Sequence, residues 1–365
     1  MRAPEATPSA AATPATRSRL STIVLGAAET LFPGYFALTM ATGVVSIATA
    51  LLGMHWIAWA LLIVNWIAYP TLWALTLVRI VKFPHQLATD ISDHGRAPGF
   101  FTLVAGTCVF GTENMVVANA SFVATALWWF GLGLWVVVMY GFFTAVTVRL
   151  RKPSLALGIN GAWLIGAVAT QSIVVLRGAL DVAYTPPEPI QLLVLAMFMI
   201  GSMLYLAIIP LIFYRLTFVR LNTRDFGPPY WINMGAVAIS TLAGATLMLR
   251  ADSWPLIEPF LPFVRGFTVF FWSVATWWIP LLIALMVWRY LWKRDRLTYE
   301  PAFWGMVFPL GMYTTSTLQL SRATGLSFLA VIPEVFVWVA LTAWLATMSG
   351  LLLHIYRSAS RTVAP

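Results

Sequence analysis

Ten hydrophobic segments fill this chain of 365 residues, and they alternate in composition. The odd-numbered segments are rich in Gly, Thr, Ser, Asn and Gln, as in the ninth, which contains the run GMYTTSTLQL. The even-numbered segments are rich in aromatic residues, and the second carries Trp56, Trp59, Trp66 and Trp73. A bilayer explains this alternation if one set of helices encloses a polar interior while the other faces lipid. The pattern therefore predicts a central pathway rather than a membrane anchor.

The overall composition is that of an integral membrane protein. Hydrophobic residues make up 60% of the chain and charged residues 10%, whereas soluble domains carry about 25% charge. The mean hydropathy is +0.83. Because a spanning helix needs roughly 20 apolar residues, ten of them leave no length for a soluble catalytic domain. The single Cys excludes disulfides and CxxC metal sites. We expect no enzyme activity, no metal and no cofactor.

The segments define an all-α domain with a short tail at each end. Residues 1–20 are rich in Ala, Pro and Thr and predict a disordered tail rather than a signal peptide. Residues 21–356 form the predicted ten-helix transmembrane domain, which begins with a short interfacial helix at 21–30, and residues 357–365 form a second tail. The predicted spans are 31–53, 56–80, 99–119, 122–148, 154–177, 190–218, 228–250, 260–290, 301–321 and 328–355.

The basic residues predict the orientation of the domain. Most of the 22 Lys and Arg residues fall in the tails and in the connections that follow even-numbered helices. The exceptions on the opposite side are Arg177, Arg250, Arg265 and Arg322. By the positive-inside rule, both termini are cytoplasmic and the protein is a multi-pass protein of the plasma or inner membrane. The net charge of +9 is therefore a topology signal and does not indicate nucleic-acid binding.

Short outer connections group the helices into five hairpins that start near residues 31, 99, 154, 228 and 301. Five related hairpins indicate an internal repeat, and repeats in transporters commonly surround a shared site. The predicted inner ring consists of helices 1, 3, 5, 7 and 9. Its predicted pathway lining is Thr42, Ser46, Thr107, Asn160, Ser240 and Thr315. The alternative is that the small and hydroxyl residues only allow close helix packing.

Charged residues on the predicted inner helices are few. Arg177, Arg250 and Arg322 lie at three outer helix ends, where they would attract anions to the entrance. Alternatively, they reach lipid headgroups or pair with Asp181 and Asp252. Glu113 is an intramembrane acid and therefore a functional candidate, although a solvated position near the outer end of helix 3 is equally compatible with the sequence.

A cytoplasmic loop contains His85, Asp90, Asp93 and His94, which we interpret as solvated polar residues rather than a metal site. The competing class of function is an integral-membrane enzyme that uses Glu113 and this loop on a lipid-like substrate. A transporter needs the odd-numbered helices to face one axis, whereas an enzyme needs Glu113 and a nucleophile to meet in a side pocket.

Three segments resemble the tellurite-resistance/dicarboxylate transporter family. They are FPGYFALTMATGVVSIA (32–48), FFTLVAGTCVFGTENM (100–115) and WGMVFPLGMYTTSTLQL (304–320), and the resemblance spans about residues 30–355. It implies five hairpins in pseudo-fivefold order around a central pore, often in a homotrimer. It also implies transport of small anions, such as malate, succinate, sulfite, nitrate, chloride or tellurite.

The resemblance further assigns a pore gate. In the family a Phe on helix 9 blocks the pore, and the matching residues here are Phe308 and Pro309. Since Pro309 removes a backbone hydrogen bond, we expect a kink that aims Phe308 at the axis. Packing of Phe308 between helices 9 and 10 is the alternative. Glu113 stands where many relatives are expected to carry an uncharged polar residue.

Overall fold

The computed structural model describes residues 24–180, 185–220 and 226–363, and the regular structure within them is entirely helical. The predicted tail at 1–20 lies outside the described residues. The long helices are α1 (Ala37–Leu51), α2 (His55–Lys82), α3 (Phe101–Ala118), α4 (Ser121–Val148), α5 (Ile165–Leu180), α6 (Glu188–Phe218), α7 (Ile232–Arg250), α8 (Leu261–Val287), α9 (Trp304–Thr324) and α10 (Val331–Val363).

Within the described ranges, nine of these helices are long and apolar enough to cross a membrane. The tenth, α9, is long enough but carries the polar run Thr314, Thr315, Ser316 and Thr317. This run lowers its hydropathy, although the helix lies deep inside the protein and its polar residues are buried. An apolar sequence is required of a helix that faces lipid, whereas α9 is buried along most of its length.

The odd-numbered helices form a closed circuit. Each packs on the next, in the order α1, α3, α5, α7 and α9, and α9 packs back on α1. Each even-numbered helix packs outside the circuit, against the odd-numbered helix of its own hairpin and more lightly against the next. We call the end at which the odd-numbered helices begin the inner end, and the opposite end the outer end.

Burial follows the same division. The candidate spans that contain α1, α5 and α7 are 83% buried, whereas those that contain α2 and α8 are 22% buried. The exposed side chains of the even-numbered helices are large and apolar, such as Trp56, Val137 and Trp277. An exposed apolar face of this extent is the expected surface of a helix that contacts lipid. The structure thus explains the alternation in the sequence.

A 3₁₀ turn leads into each odd-numbered helix at the inner end. The turns are Pro33–Phe36, Ala97–Phe100, Gly161–Leu164, Pro228–Trp231 and Pro301–Phe303. They also contact one another in a closed circuit. Proline suits these positions because the first N–H groups of a helix have no intrahelical partner. At Gly99, a Cβ would come within 2.8 Å of the Gly34 nitrogen, so only glycine permits these two turns to meet.

An arginine closes four of the hairpins at this end. The guanidinium groups of Arg79, Arg149, Arg215 and Arg289 lie at or just after the ends of the even-numbered helices. They donate to the carbonyl oxygens of Leu31, Ser92, Ile159 and Phe226 respectively, each ahead of the turn of the same hairpin. The same arginine contact thus recurs at equivalent positions of four hairpins, as expected of an internal repeat.

The observed helices differ from the sequence expectation in three places. A short helix, Pro84–Ser92, follows α2 in a segment expected to be a loop. The segment expected to be continuous from 154 to 177 is broken at Ile159 and Asn160, both of which are extended. Helix α10 continues to Val363, through most of the expected tail at 357–365. A helical segment lies at 24–29, within the range 21–30 that was expected to be a short helix.

Candidate functional site

A cavity opens at the outer end of the helix circuit, on its axis. Its volume is about 290 Å³, and every odd-numbered helix contributes to its wall. Hydrogen-bonding groups come from Thr112, Asn119, Arg250, Thr315 and Gln319. The remaining wall is largely aliphatic. A concave site with few polar groups on an apolar wall is typical of a site for a small molecule or ion.

Below this cavity the axis narrows to a constriction with room for about one water molecule, since its volume is about 20 Å³. Two residues from each odd-numbered helix line it, three positions apart. The lower layer consists of Val44, Val109, Ser172, Ile239 and Met312, and the upper layer of Ile47, Thr112, Val175, Leu242 and Thr315. Most of these side chains are apolar, so the constriction resists wetting.

The three hydroxyl groups in the constriction bind their own helices. Thr112 donates to the Cys108 carbonyl at 3.0 Å, Ser172 to Ala169 at 2.7 Å, and Thr315 to Gly311 at 3.1 Å. Their protons are therefore engaged, and the groups present lone pairs rather than donors to the axis. An anion needs donors, so this part of the axis does not hold one in the observed state.

Phe308 lies one helical turn closer to the inner end than Met312, on the same face of α9 as Met312 and Thr315. Spacings of four and seven residues place side chains on one face of a helix. The equivalent positions on the other inner helices, four residues before the lower layer, are Met40, Ala105, Val168 and Gly235. These residues are small or flexible, and Phe308 is only 1% exposed. The helical phase thus gives this layer one large ring among smaller neighbours.

The ring of Pro309 packs against α7 at Gly235. A Cβ on Gly235 would come within 2.7 Å of Pro309 Cγ, so the absence of a side chain at Gly235 makes room for the proline ring. Helix α9 continues through Pro309, from Trp304 to Thr324.

Of the six residues expected to line a pathway, Thr315 lies in both axial cavities. The other residues of this set on the inner helices are buried but hydrogen bond elsewhere. Ser46 donates to the Ala58 carbonyl of α2 at 2.8 Å, and Ser240 to Ala236 of its own helix. Asn160 lies ahead of α5, where its Oδ1 accepts from the Ala162 nitrogen, and it lines a separate cavity at the inner end.

Hydroxyl groups of the inner helices instead pair with aromatic residues of the neighbouring hairpin. Three Trp Nε1–H groups donate to threonine Oγ1 atoms, from Trp135 to Thr170, from Trp272 to Thr317, and from Trp344 to Thr42. Tyr69 and Thr107 form the corresponding pair between α2 and α3, at 3.0 Å. A polar group inside a membrane protein needs such a partner.

The three outer arginines occupy different environments. Arg250 lines the outer cavity, and its Nε donates to the Gly178 carbonyl at 2.8 Å. The guanidinium of Arg177 lies over the Trp128 ring, 5.1 Å from its centre. Arg322 is exposed and donates to Gln319 Oε1 and to the Leu51 carbonyl, each at 3.3 Å. Asp181, one expected partner, lies outside the described residues.

Glu113 is fully buried between α1, α2 and α3, one position after Thr112 of the constriction. Its Oε2 accepts a hydrogen bond of 2.6 Å from Asn65 Nδ2, which also donates to the Thr39 carbonyl at 3.1 Å. Within the described part of the chain, neither Glu113 Oε1 nor Asn65 Oδ1 has a hydrogen-bond partner. The sequence identified the carboxyl but not Asn65, whose place in an aromatic-rich segment gave no signal.

A second polar cavity, of about 540 Å³, lies at the inner end beside the turns of the last three hairpins. Its wall carries charges of both signs. Arg289 Nε pairs with Asp295 Oδ2 at 2.9 Å, and Arg296 and Glu300 add one charge each. Balanced charges of this kind give the inner cavity less attraction for anions than the outer one.

The segment with His85, Asp90, Asp93 and His94 serves the structure of the inner end. Asp90 accepts from Arg79 at 2.5 Å and from Arg96 at 2.6 Å, which ties the short helix to α2 and to the turn before α3. Burial, together with the Arg149 cation, lowers the pKa of His94. No group of three His, Cys, Asp or Glu side chains suited to a metal occurs in the described residues.

Comparison with known proteins agrees with this architecture. An uncharacterized membrane protein of Mycobacterium tuberculosis is 38% identical over 159 residues, which cover 44% of this chain and 80% of the relative. An uncharacterized transporter of Methanocaldococcus jannaschii is 23% identical over 88% of this chain and 94% of its own length. A sulfite efflux pump of Arthroderma benhamiae is 23% identical over 90% of this chain and 91% of the pump.

These relatives bear the names of membrane proteins, transporters and pumps, and not of enzymes. The resemblance noted from the sequence is thereby confirmed, and the alternative of a membrane enzyme finds no support. The apolar helices and these relatives make the chain a multi-pass membrane protein. The family model described as "voltage-dependent anion channel" (SLAC1) matches residues 30–352, nearly the whole chain. The chain therefore belongs to the SLAC1 voltage-dependent anion channel family.

Proposed function

We propose that this protein transports small anions along the axis of the helix circuit. The observation that carries the proposal is that both axial cavities are lined by residues from every odd-numbered helix. Because all five odd-numbered helices contribute to these cavities, the cavities are not a packing feature of any single hairpin. This is the arrangement expected where repeats surround a common pathway.

In this proposal all ten helices cross the membrane, and the five hairpins are related by approximate fivefold symmetry. The recurring turns, arginine contacts and paired axial residues support the repeat. Helix α9 crosses because its neighbours shield its polar residues from lipid. Both termini are cytoplasmic, since the inner end carries most of the basic residues, and the membrane is the plasma or inner membrane.

The proposed substrates are small inorganic or carboxylate anions. Arg250 supplies a positive charge in the wall of the outer cavity, and Asn119 and Gln319 supply amide donors. A volume of about 290 Å³ is large enough for one such anion with several waters. Sulfite is the first candidate to test because one relative bears the name of a sulfite efflux pump. Malate, succinate, nitrate, chloride and tellurite complete the set.

We further propose that Phe308 closes the pathway and that Pro309 holds it in place. The helical phase of α9 supports this role, as do the side chains at equivalent positions of the other inner helices, which are all smaller than phenylalanine. An aromatic ring in a narrow apolar passage blocks ions by its bulk and by excluding water. The family resemblance also implies a homotrimer, and the exposed apolar faces of the even-numbered helices are the surfaces through which its subunits would pack.

A flux assay in liposomes tests the proposed function. Purified protein is reconstituted, and the flux of chloride, nitrate, sulfite, malate and succinate is measured with and without a proton gradient. Selective flux of at least one anion above protein-free liposomes is the expected result. The variant Ser172→Trp should abolish that flux in a folded protein, because Ser172 is buried and lines the constriction. Equal flux with this variant would place the pathway elsewhere, and no flux of any anion would contradict the function.

A further inference from the structure

A buried acid and amide pair stands in the wall of the proposed pathway, between the first two hairpins. Glu113 of α3 and Asn65 of α2 are both fully buried, and a single hydrogen bond of 2.6 Å joins them. The position is deep within the helices, well away from both ends of α2. Thr112, the neighbour of Glu113 in sequence, lines the constriction.

Among the residues that the structure describes, no basic group faces this carboxyl. Helix α1, which presents Gly43 to it, carries no titratable residue, and α4 carries only Tyr140. Besides Asn65, α2 offers Tyr69, which pairs with Thr107, and its charged residues His55, Arg79 and Lys82 lie at its ends. Cys108 of α3 is buried, and the basic residue of α5 is Arg177, over Trp128 near the outer end. A carboxylate without a counter-charge is costly to bury, so this environment favours the neutral acid.

The unpaired atoms show where the proton would lie. Asn65 Nδ2 already donates to Glu113 Oε2 and to the Thr39 carbonyl. The two atoms left over are Glu113 Oε1 and Asn65 Oδ1, and both are acceptors when the acid is ionised. A proton on Oε1 converts that atom into a donor for Oδ1. A small rotation of either side chain then completes a cyclic acid–amide pair in which every polar atom is satisfied.

From this geometry we infer that Glu113 and Asn65 form a proton-binding site in the wall of the pathway, and that anion flux is high when the proton is bound. The inference rests on the proposed anion transport. Loss of the proton places a negative charge roughly one helix diameter, about 10 Å, from the axis. At the effective dielectric constant of a protein interior, that charge lowers the occupancy of an anion on the axis about tenfold.

The proton itself is detected without any transport measurement. A protonated carboxylic acid gives an infrared carbonyl band distinct from those of carboxylates and amides, and its pH titration is followed in the reconstituted protein. The band of wild-type protein is expected to be absent in Glu113→Gln and to shift in Asn65→Val, which removes both the Oδ1 acceptor and the Nδ2 donor of Asn65. Glu334→Gln is the matched control, because Glu334 is an exposed acid of α10. An unchanged spectrum in Glu113→Gln would overturn the inference, whatever the protein transports.

Flux measured between about pH 5.5 and pH 9 tests the second half of the inference. Wild-type flux should fall about tenfold across the part of this range in which the infrared band disappears. Glu113→Gln should keep the high flux at every pH, and Glu334→Gln should behave as wild type. A Glu113→Gln protein that retains the full pH dependence would contradict the inference while leaving anion transport intact. Absence of flux in all proteins would instead contradict the proposed function.

Discussion

Trp344 of the last helix donates its indole N–H to the hydroxyl oxygen of Thr42 in the first, at 3.0 Å and across 302 positions of sequence. Both residues are buried, and the bond joins the fifth hairpin to the first. The same kind of contact joins α4 to α5 and α8 to α9. Aromatic residues of the even-numbered helices thus act as hydrogen-bond donors to hydroxyl residues of the odd-numbered helices.

Replacement of Trp344 by Phe should weaken the closure between the first and last hairpins. The variant loses the hydrogen bond to Thr42 and leaves a small cavity, so we expect it to lose about 1–3 kcal/mol of stability. Thermal unfolding in detergent measures the loss. Trp338→Phe is the control, because Trp338 lies on the same helix but is 58% exposed. Equal stability of the two variants would show that this bond does not hold the circuit closed.

Replacement of Gly235 by Ala should displace α9 next to the proposed gate. The new Cβ would lie 2.7 Å from Pro309 Cγ, and one of the two helices has to move. We expect overpacking to lower the stability of the protein by about 1–3 kcal/mol. We also expect the anion flux to change, because Phe308 directly precedes Pro309 in α9. Gly133→Ala serves as control, since a Cβ at Gly133 meets no atom within 4 Å. A Gly235→Ala protein with wild-type stability and flux would contradict this role.

Replacement of Phe308 by Ala should open the pathway. If the ring blocks the axis, its removal gives constitutive anion flux with little loss of folding. A ring that only packs between helices would instead cost roughly 3–5 kcal/mol without any gain in flux. Phe271→Ala is the matched control because Phe271 is fully buried in α8, outside the circuit. Flux in liposomes and thermal unfolding are measured on both variants, and a Phe308→Ala protein that behaves like Phe271→Ala would disprove the gate.

Replacement of Arg250 by Gln should lower anion entry from the outer side. Arg250 lines the outer cavity, whereas Arg177 lies on Trp128 and Arg322 is exposed. We therefore expect Arg250 to account for most of the loss seen when all three are changed to Gln. Inward flux should fall about two- to fivefold near 10 mM salt and recover towards wild type near 1 M, where screening is nearly complete. Arg265→Gln, which removes an exposed charge of α8 at the same end, should leave flux unchanged at both salt concentrations.

The circuit of odd-numbered helices follows from features visible in the sequence. Alternation of small polar and aromatic segments separates the two sets of helices, and the short connections define the hairpins. The length of each segment then sets most of the helix boundaries to within a few residues, but the start of α5 and the end of α10 lie further from their expected positions. The sequence predicts a loop around His85 and Asp90, although the preceding proline is suited to the first turn of a helix, as in Pro84–Ser92.

The orientation of individual side chains was harder to predict. Thr42 and Thr315 are both threonines on inner helices, but Thr42 faces Trp344 while Thr315 faces the axis. The hydroxyl oxygen of a buried threonine accepts a hydrogen bond from whichever donor lies near it in the fold. For Thr42 that donor is far away in the sequence, so the sequence does not indicate which way the side chain points. Pairs of residues three positions apart, such as Val44 with Ile47, line the constriction once in each hairpin, and every pair contains at least one apolar side chain. That repeat was present in the sequence but is inconspicuous among other aliphatic residues.

The polar run in α9 has a consequence for how the protein is made. In the proposed ten-crossing topology, α1 to α8 are synthesised first and already contain four of the five inner helices. They leave one gap, between α7 and α1, whose walls carry partners for Thr317 and for the proline ring of Pro309. Helix α9 emerges next, too polar to be stable alone in lipid, and α10 follows with an apolar sequence. Insertion of the final hairpin is therefore coupled to its docking in that gap, so the last step of synthesis is also the step that completes the pathway.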